Sequence, residues 1–155
     1  MRNVRRAVFF DRDGVLNRAF IKDGKPYPPQ TIAQLEVLPG VAESLQRLRK
    51  GGYILIGVTN QPDVARGTQY REVVEAINSR VLQILSLDAI YVCFEDGNTE
   101  ARRKPNPGML LEAAADFDIH LAGSYLIGDK SADRKRMLIK PSRYVDSLGR
   151  LDNLR

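Results

Sequence analysis

The sequence has little from which to build a disulfide, a histidine-rich metal site or a membrane anchor. Cys93 is the only cysteine and His120 the only histidine among the 155 residues. One cysteine cannot form an internal disulfide and fits a reducing compartment. No apolar run approaches the roughly 20 residues of a membrane-spanning helix, and the N-terminal apolar stretch is too short for a signal peptide. We therefore expect a cytoplasmic protein that makes no contact with a membrane.

Aromatic residues are also few, at 7% of the chain, whereas basic residues outnumber acidic ones and give a net charge of +5. The basic residues cluster at 2–6, 102–104 and 134–136. Such a charge balance favours anionic partners. However, aromatic residues are not interleaved with these clusters, as platforms for stacking bases would require. The composition therefore indicates affinity for phosphate groups, whether in nucleic acid, on an anionic surface or in a phosphorylated small molecule.

Hydrophobic patterning predicts alternating strands and helices. Apolar runs predict strands over 6–11, 53–60, 89–94, 124–129 and 143–147, and helical periodicity predicts helices over 40–52, 69–87 and 107–118. This alternation, with continuously apolar strands, is typical of a parallel sheet covered by helices on both faces. The chain is long enough for one substantial core. We predict an α/β three-layer sandwich that forms a single domain over residues 1–155.

Polar side chains follow each of the four main predicted strands. In strand order they are Asp11 and Asp13, Thr59 and Asn60, Arg103 and Lys104, and Asp129 and Lys130. Taken alone, aspartate and glycine at a strand exit could be ordinary turn residues. In a parallel sheet, however, these strand ends lie at one edge, where ligands bind. Carboxylates, a hydroxyl and a lysine brought to one crevice favour an active site over four unrelated turns.

Four short segments at these positions carry a family resemblance. "DRDGVLN", "VTNQ", "RKPNPGM" and "IGDKSAD" resemble, in this order, the four motifs of the haloacid-dehalogenase superfamily of phosphohydrolases. The resemblance extends over about residues 7 to 133. More narrowly, "TNQPDVARGT" and "RRKPNPGMLLEAA" are similar to the branch that contains heptose-bisphosphate and histidinol-phosphate phosphatases. The resemblance implies a Rossmann-like central sheet.

The chemistry of these residues fits hydrolysis of a phosphate ester. Asp11, nearest the strand, suits a nucleophile that attacks phosphorus and forms an acyl phosphate. Asp13 suits the acid that protonates the leaving oxygen and later deprotonates water. Asp11, Asp129 and the backbone carbonyl of Asp13 form an all-oxygen set of the kind that Mg²⁺ prefers. The sequence therefore predicts a magnesium-dependent phosphatase.

The other candidate residues surround the phosphate. Thr59 and Asn60 are predicted to bind the phosphoryl oxygens, and Lys104 to supply a fixed positive charge. The resemblance implies that Arg103 and Lys130 contact the substrate and that Asp133 is a supporting acid. An ordinary acid at a helix N-terminus is the alternative for Asp133.

The spacing of the motifs indicates an open site. The resemblance implies that cap domains are inserted after the first motif or between the third strand and the lysine. Residues 14–58 must also hold a helix, and only residues 95–103 separate Phe94 from Lys104. We therefore expect a minimal cap or none, with the site shaped by loops over 17–31 and 61–69 and with Arg66 as a candidate substrate contact.

The loop before Lys104 departs from the branch. The resemblance implies a structural zinc bound there by cysteine and histidine in many members, but "CFEDGNTEARRKP" keeps only Cys93. One ligand cannot make a tetrahedral site, so we expect no structural zinc. We expect residues 95–102 to be mobile or fixed only by turns at Gly97 and Asn98, with Arg103 and Lys104 held by the proline-rich start of the next helix.

The substrate most consistent with the resemblance is a sugar bisphosphate, namely D-glycero-D-manno-heptose 1,7-bisphosphate cleaved at its 7-phosphate. Histidinol phosphate and a polynucleotide 3′-phosphate remain alternatives, as does a non-catalytic phosphate-binding protein. A phosphorelay receiver is disfavoured, because receivers normally carry the phosphorylated aspartate on a later strand. We expect a monomer that acts on a small phosphorylated metabolite, with nucleic acid the less favoured partner.

Overall fold

The computed structural model describes residues 3–97, 99–104 and 106–128, together with two strands at 143–146 and 151–153. The strands and α-helices in this part of the chain are β1 (Ala7–Phe10), β2 (Phe20–Lys22), β3 (Lys25–Tyr27), α1 (Val41–Lys50), β4 (Ile54–Asn60), α2 (Arg71–Leu85), β5 (Ala89–Cys93), α3 (Gly108–Phe117), β6 (Tyr125–Gly128), β7 (Arg143–Asp146) and β8 (Leu151–Asn153). Every strand and helix predicted from the sequence has a counterpart here, with ends that agree within one or two residues.

The main sheet has six strands in the order β5-β4-β1-β6-β7-β8. Its first five strands are parallel, and β8 runs antiparallel to β7. β1 lies between β4 and β6, so that Val8 is in register with Leu55 on one side and Tyr125 on the other. The carboxyl end of β1 therefore lies between the ends of β4 and β6, at the edge of the sheet where ligands bind in this architecture.

Alternate residues of β1 face two different cores, as the pleat of a strand requires. Ala7 and Phe9 belong to a cluster that contains Met109, Leu110 and Ala113 of α3. On the other face, a second cluster joins the following residues of β1, α1 and α2: Val8, Phe10, Leu45, Ile77 and Val81. The sheet thus lies between α3 on one face and α1 with α2 on the other, which confirms the predicted α/β sandwich.

The segment between β1 and α1 contains an antiparallel hairpin that the sequence analysis treated as a loop. β2 and β3 pair through Phe20 with Tyr27 and Lys22 with Lys25. The two turn residues have positive φ, 52° at Asp23 and 72° at Gly24, as a type I′ turn demands. This Asp-Gly pair is a strong hairpin pattern, but strands of three residues are too short to show alternation. Apart from the hairpin, only one 3₁₀ turn, Ile32–Gln34, interrupts the segment.

The described helices are short. The longest, α2, has 15 residues, and none of those in the described part of the chain combines the length and apolar character needed to cross a bilayer.

Candidate active site

Asp11 and Lys104 form a buried ion pair at the carboxyl edge of the sheet. Asp11 directly follows β1, and Lys104 lies between β5 and α3. Nζ of Lys104 is 2.9 Å from Oδ1 of Asp11, and the two residues are only 6% and 4% exposed. The same Oδ1 also accepts a hydrogen bond of 2.9 Å from the backbone N–H of Arg12. Two predicted site residues, 93 positions apart in the chain, are thus brought into direct contact.

Two oxygen atoms beside this pair suit a hard cation. Within the described part of the chain, Oδ2 of Asp11 and the backbone carbonyl of Asp13 receive no hydrogen bond. Carboxylate and carbonyl oxygens are the ligands that Mg²⁺ prefers. No three His, Cys, Asp or Glu side chains among the described residues cluster closely enough to hold a metal. Asp129, the predicted third ligand, lies outside them, so the donor set on hand fits Mg²⁺ without completing its shell.

The carboxylate of Asp13 is surrounded by hydrogen-bond donors. The guanidinium of Arg12 reaches Oδ1 through Nε at 3.1 Å and through Nη2 at 3.0 Å. Asn17 donates to Oδ1 at 3.1 Å and Gln61 to Oδ2 at 2.8 Å. The Asp13 side chain is nevertheless 13% exposed, because one side of it faces the pocket described below. Asp13 is therefore held firmly while its oxygens stay accessible to a substrate.

Thr59 lies at the end of β4, where its side chain is almost completely buried. Its hydroxyl oxygen accepts a hydrogen bond of 2.9 Å from Nε2 of Gln61. Since the same Nε2 also donates to Asp13, Gln61 ties the predicted phosphate-binding hydroxyl to the predicted acid. A hydroxyl that accepts from Gln61 keeps its own proton free for an anionic oxygen.

Asn60 makes a pair of hydrogen bonds with the backbone of Lys104. Its Oδ1 accepts from the Lys104 N–H at 3.0 Å, and its Nδ2 donates to the Lys104 carbonyl at 3.1 Å. The sequence predicts that Asn60 binds phosphate. In the structure both the oxygen and the nitrogen of its amide bind the main chain at Lys104. The side chain therefore links the end of β4 to the segment that carries the Lys104 ammonium.

Two arginines share one acidic partner at the rim of the site. Asp96 accepts hydrogen bonds from Nε and Nη2 of Arg66 and lies 3.2 Å from Nη1 of Arg103. The hydrogen bond from Arg66 lowers the pKa of the Asp96 carboxyl, and the same bond raises the pKa of Arg66. The ion pairs therefore persist at neutral pH and hold both guanidinium groups on the same side of the site.

A pocket of about 360 Å³ opens between the hairpin and the loop after β4. Its lining includes Asp13 and three basic residues, Lys25, Arg66 and Arg103. Lys25 comes from β3, in the segment that the sequence analysis treated as a loop. Residues from both loops that were predicted to shape the site line this pocket, Arg66 among them, and the hairpin supplies a third positive charge.

The segment before Lys104 is held by more than turns, which corrects the expectation for residues 95–102. Arg102 donates to the carbonyl of Val92 and to the Glu112 carboxylate. The Gly108 N–H donates to the carbonyl of Ala101 at 2.8 Å, and a Cβ on Gly108 would collide with that same carbonyl. Long charged side chains and a close backbone approach therefore replace the apolar contacts that the segment lacks.

The structure does not describe every predicted site residue. Lys130 and Asp133, like Asp129, lie outside the described part of the chain, as do Asn98 and Pro105. Their proposed roles rest on the sequence alone.

Four polar residues of the site were missed by the sequence analysis: Arg12, Asn17, Gln61 and Asn78. Of these four, Asn78 could be recognised in the sequence, because it interrupts the apolar face of α2 formed by Val74, Ile77 and Val81. Its Oδ1 accepts a hydrogen bond of 2.7 Å from the Arg12 guanidinium. A polar residue on a buried stripe needs a partner, and this requirement could have led to the site.

Known proteins are similar to this chain in both sequence and fold. Residues 6–147 match the family described as polynucleotide kinase 3 phosphatase. The chain is 34% identical, over 148 residues, to the D-glycero-D-manno-heptose-1,7-bisphosphate 7-phosphatase of Thermosynechococcus vestitus, covering 83% of this chain and 71% of the relative. It is 36% identical, over 140 residues, to the D-glycero-beta-D-manno-heptose-1,7-bisphosphate 7-phosphatase of Escherichia coli K12, covering 82% and 70%.

A solved structure is similar at the same level. The crystal structure of D,D-heptose 1,7-bisphosphate phosphatase from B. bronchiseptica, complexed with magnesium and phosphate, has 30% sequence identity and a TM-score of 0.70. The match covers 83% of this chain and 72% of that protein.

Proposed function

Because the chain belongs to the family described as polynucleotide kinase 3 phosphatase, within the haloacid-dehalogenase-like phosphatases, we propose that it hydrolyses phosphate monoesters through an aspartyl-phosphate intermediate on Asp11. The observation that carries this proposal is the buried pair of Asp11 and Lys104, 2.9 Å apart. Beside it lies Asp13, a second carboxylate that faces a pocket. A lysine that pairs with the nucleophile holds the carboxylate in place.

In the first step, a carboxylate oxygen of Asp11 forms a bond to phosphorus as the bond from phosphorus to the ester oxygen breaks. Asp13 gives its proton to that oxygen, so that the alcohol leaves neutral. In the second step, Asp13 takes a proton from water as the water oxygen attacks phosphorus. Inorganic phosphate leaves, and Asp11 is restored as a carboxylate.

The negative charge of the transferring group needs stabilisation in both steps. We propose that the Lys104 ammonium and the Thr59 hydroxyl supply it at the end of the sheet. Asp11, the carbonyl of Asp13 and Asp129 would hold Mg²⁺, which would neutralise phosphoryl charge when bound. The magnesium in the related crystal structure supports this cofactor. We propose no structural zinc.

The proposed substrate is a sugar bisphosphate, specifically D-glycero-D-manno-heptose 1,7-bisphosphate cleaved at the 7-phosphate. The names of the relatives support this substrate, and so does the pocket. One phosphate would bind at Asp11, while Lys25, Arg66 and Arg103 along the pocket offer charge for the second. Arginine suits a second phosphate because its planar N–H groups can bind two phosphate oxygens at once. We propose that the enzyme acts as a monomer.

A polynucleotide 3′-phosphate is the second candidate substrate, because the family that matches residues 6–147 is described by that activity. An open pocket with basic walls also admits a polymer end. Competition by single-stranded DNA, with a steep dependence on salt, would favour this candidate.

The test compares kcat/KM for the heptose bisphosphate, histidinol phosphate and a 3′-phosphorylated oligonucleotide, each with magnesium. We expect the highest kcat/KM for the bisphosphate. A clear preference for either of the other two substrates would overturn the proposed substrate assignment. Asp11→Asn should lower turnover by more than about a thousandfold, since it removes nucleophile and metal ligand together. Asp118→Asn is the matched control, because Asp118 is exposed and has φ of 54°, which asparagine also tolerates. Substantial activity in Asp11→Asn would overturn the mechanism.

A further inference from the structure

Arg12 is charged yet fully buried, with 0% of its surface exposed. Burial of an arginine is costly unless its charge is paired and its N–H groups are bonded. Here each guanidinium nitrogen has a partner. Nε and Nη2 face Asp13, where Nη2 reaches both carboxylate oxygens at 3.0 and 3.3 Å, and Nη1 donates to Oδ1 of Asn78 at 2.7 Å. Arg12 is therefore too deeply buried to contact a substrate, and its side-chain hydrogen bonds go to Asp13 and Asn78.

The far end of this arrangement lies in the core. Asn78 lies on the buried face of α2, whose other members are apolar, and is itself only 8% exposed. An apolar side chain at this position would pack at least as well. The polar pair of Arg12 and Asn78 therefore does more than fill the core, because among the described residues it also binds the carboxylate of Asp13.

We propose that Arg12 is a positioning residue, which fixes the plane of the Asp13 carboxylate for both proton transfers, with Asn78 as its anchor. The proposal rests on the proposed function, in which Asp13 is the acid and base. A carboxylate turns easily about its last torsion, and the single bonds from Asn17 and Gln61 each hold only one oxygen. A guanidinium that contacts both oxygens prevents this rotation.

The two steps of the reaction give this role a signature. An alkyl phosphate needs a proton on its leaving oxygen, whereas p-nitrophenolate leaves without one. Loss of Arg12 should therefore slow the first step for the sugar phosphate and spare it for p-nitrophenyl phosphate. With both substrates the second step needs Asp13 as base, so that the phosphoenzyme should accumulate when p-nitrophenyl phosphate is used. Misplacing a catalytic group by a small distance costs about 10²-fold.

The variants are Arg12→Lys, which keeps the charge and loses the planar contact, and Asn78→Leu, which removes the anchor. Asn78→Asp, which retains an acceptor oxygen, is the conservative rescue. Ile77→Ala is the matched control, because Ile77 is fully buried on the same helix and belongs to the apolar cluster that α2 forms with β1 and α1. We expect kcat for the sugar phosphate to fall by roughly 30- to 100-fold in Arg12→Lys and by roughly tenfold in Asn78→Leu, with KM within about twofold of wild type.

The pre-steady-state measurement decides the role. Rapid mixing with p-nitrophenyl phosphate should show first-turnover release of p-nitrophenolate at the wild-type rate in Arg12→Lys and Asn78→Leu, followed by slower turnovers. Asn78→Asp should behave as wild type, and Ile77→Ala should lose thermal stability without a change in kcat. Equal slowing of the first turnover, unchanged kcat in both variants, or a loss of kcat in Ile77→Ala would overturn the proposal. Failure of the proposed function looks different, since wild-type enzyme would then be inactive or Asp11→Asn active.

Discussion

Replacement of Lys104 by methionine tests the buried ion pair directly. The substitution leaves Asp11, which is 4% exposed, as an uncompensated charge. Breaking a buried pair on one side costs about 3–5 kcal/mol. A domain of this size loses about 2–4 °C of melting temperature per kcal/mol, so that the expected loss is roughly 6–20 °C. Urea unfolding followed by circular dichroism, without magnesium, gives the free energy of unfolding.

A second substitution, at Asp11, shows whether the loss of stability comes from the unpaired charge. In the double variant Lys104→Met with Asp11→Asn, the charge is gone from both sides, and we expect at least about 2 kcal/mol of the loss to be recovered. Magnesium should stabilise Lys104→Met more than wild type, because the ion would compensate the unpaired carboxylate. Lys50→Met is the control, since Lys50 is exposed and its loss should change stability by no more than about 0.5 kcal/mol.

A cost below about 1 kcal/mol for Lys104→Met would refute the reasoning, because the pair would then behave as a surface pair. Failure of Asp11→Asn to relieve the loss would also refute it. The cause of the instability would then lie in packing of the lysine stem rather than in the charge of Asp11.

Asp96→Ala should raise KM for a sugar bisphosphate by roughly tenfold and leave KM for a monophosphate unchanged, because Arg66 and Arg103 lose the carboxylate that orients them; an equal change for both substrates would count against a second phosphate site. Burial and the Glu95 carboxylate raise the pKa of Cys93, so native enzyme should react with a disulfide reagent far more slowly than urea-unfolded enzyme. Because the unfolded thiol ionises first, this contribution to stability is present below about pH 8.5 and lost above it; a melting temperature that rises in alkali would contradict it. Chelation followed by magnesium alone should restore full activity, and elemental analysis should find no stoichiometric zinc; activity that returns only with added zinc would overturn this expectation.

The parts of the site that follow from local sequence were predictable. Asp11 ends a continuous apolar run, and such runs pack as parallel strands whose ends share one edge. Lys104 was identified by its place in the order of the motifs. In both cases the chemistry lies next to an element that the pattern of apolar residues defines.

The contacts that organise the site were not predictable in the same way. Asn60 binds the backbone of Lys104. Nothing in the local sequence around either residue indicates that the two are in contact. Arg12 reads as a surface residue in sequence, since arginine is rarely buried unless it is paired. Its burial depends on Asn78, which comes close only when α2 packs on the sheet. Tertiary contacts between distant polar groups are thus what the sequence left open.

The central place of β1 has a consequence for how the protein is made. This strand is synthesised before its neighbours in the sheet, which come from residues 54–60 and 125–128. Pairings so distant in the chain form slowly, and β1 can complete both of its pairings only after residues 125–128 have been synthesised. Exposed apolar strands aggregate unless charged residues flank them, and here Arg5 and Arg6 precede the strand while Asp11 and Arg12 follow it. Asp11 and Arg12, which organise the site in the folded protein, thus also place charge beside the apolar strand in the unfolded chain, where flanking charge opposes aggregation.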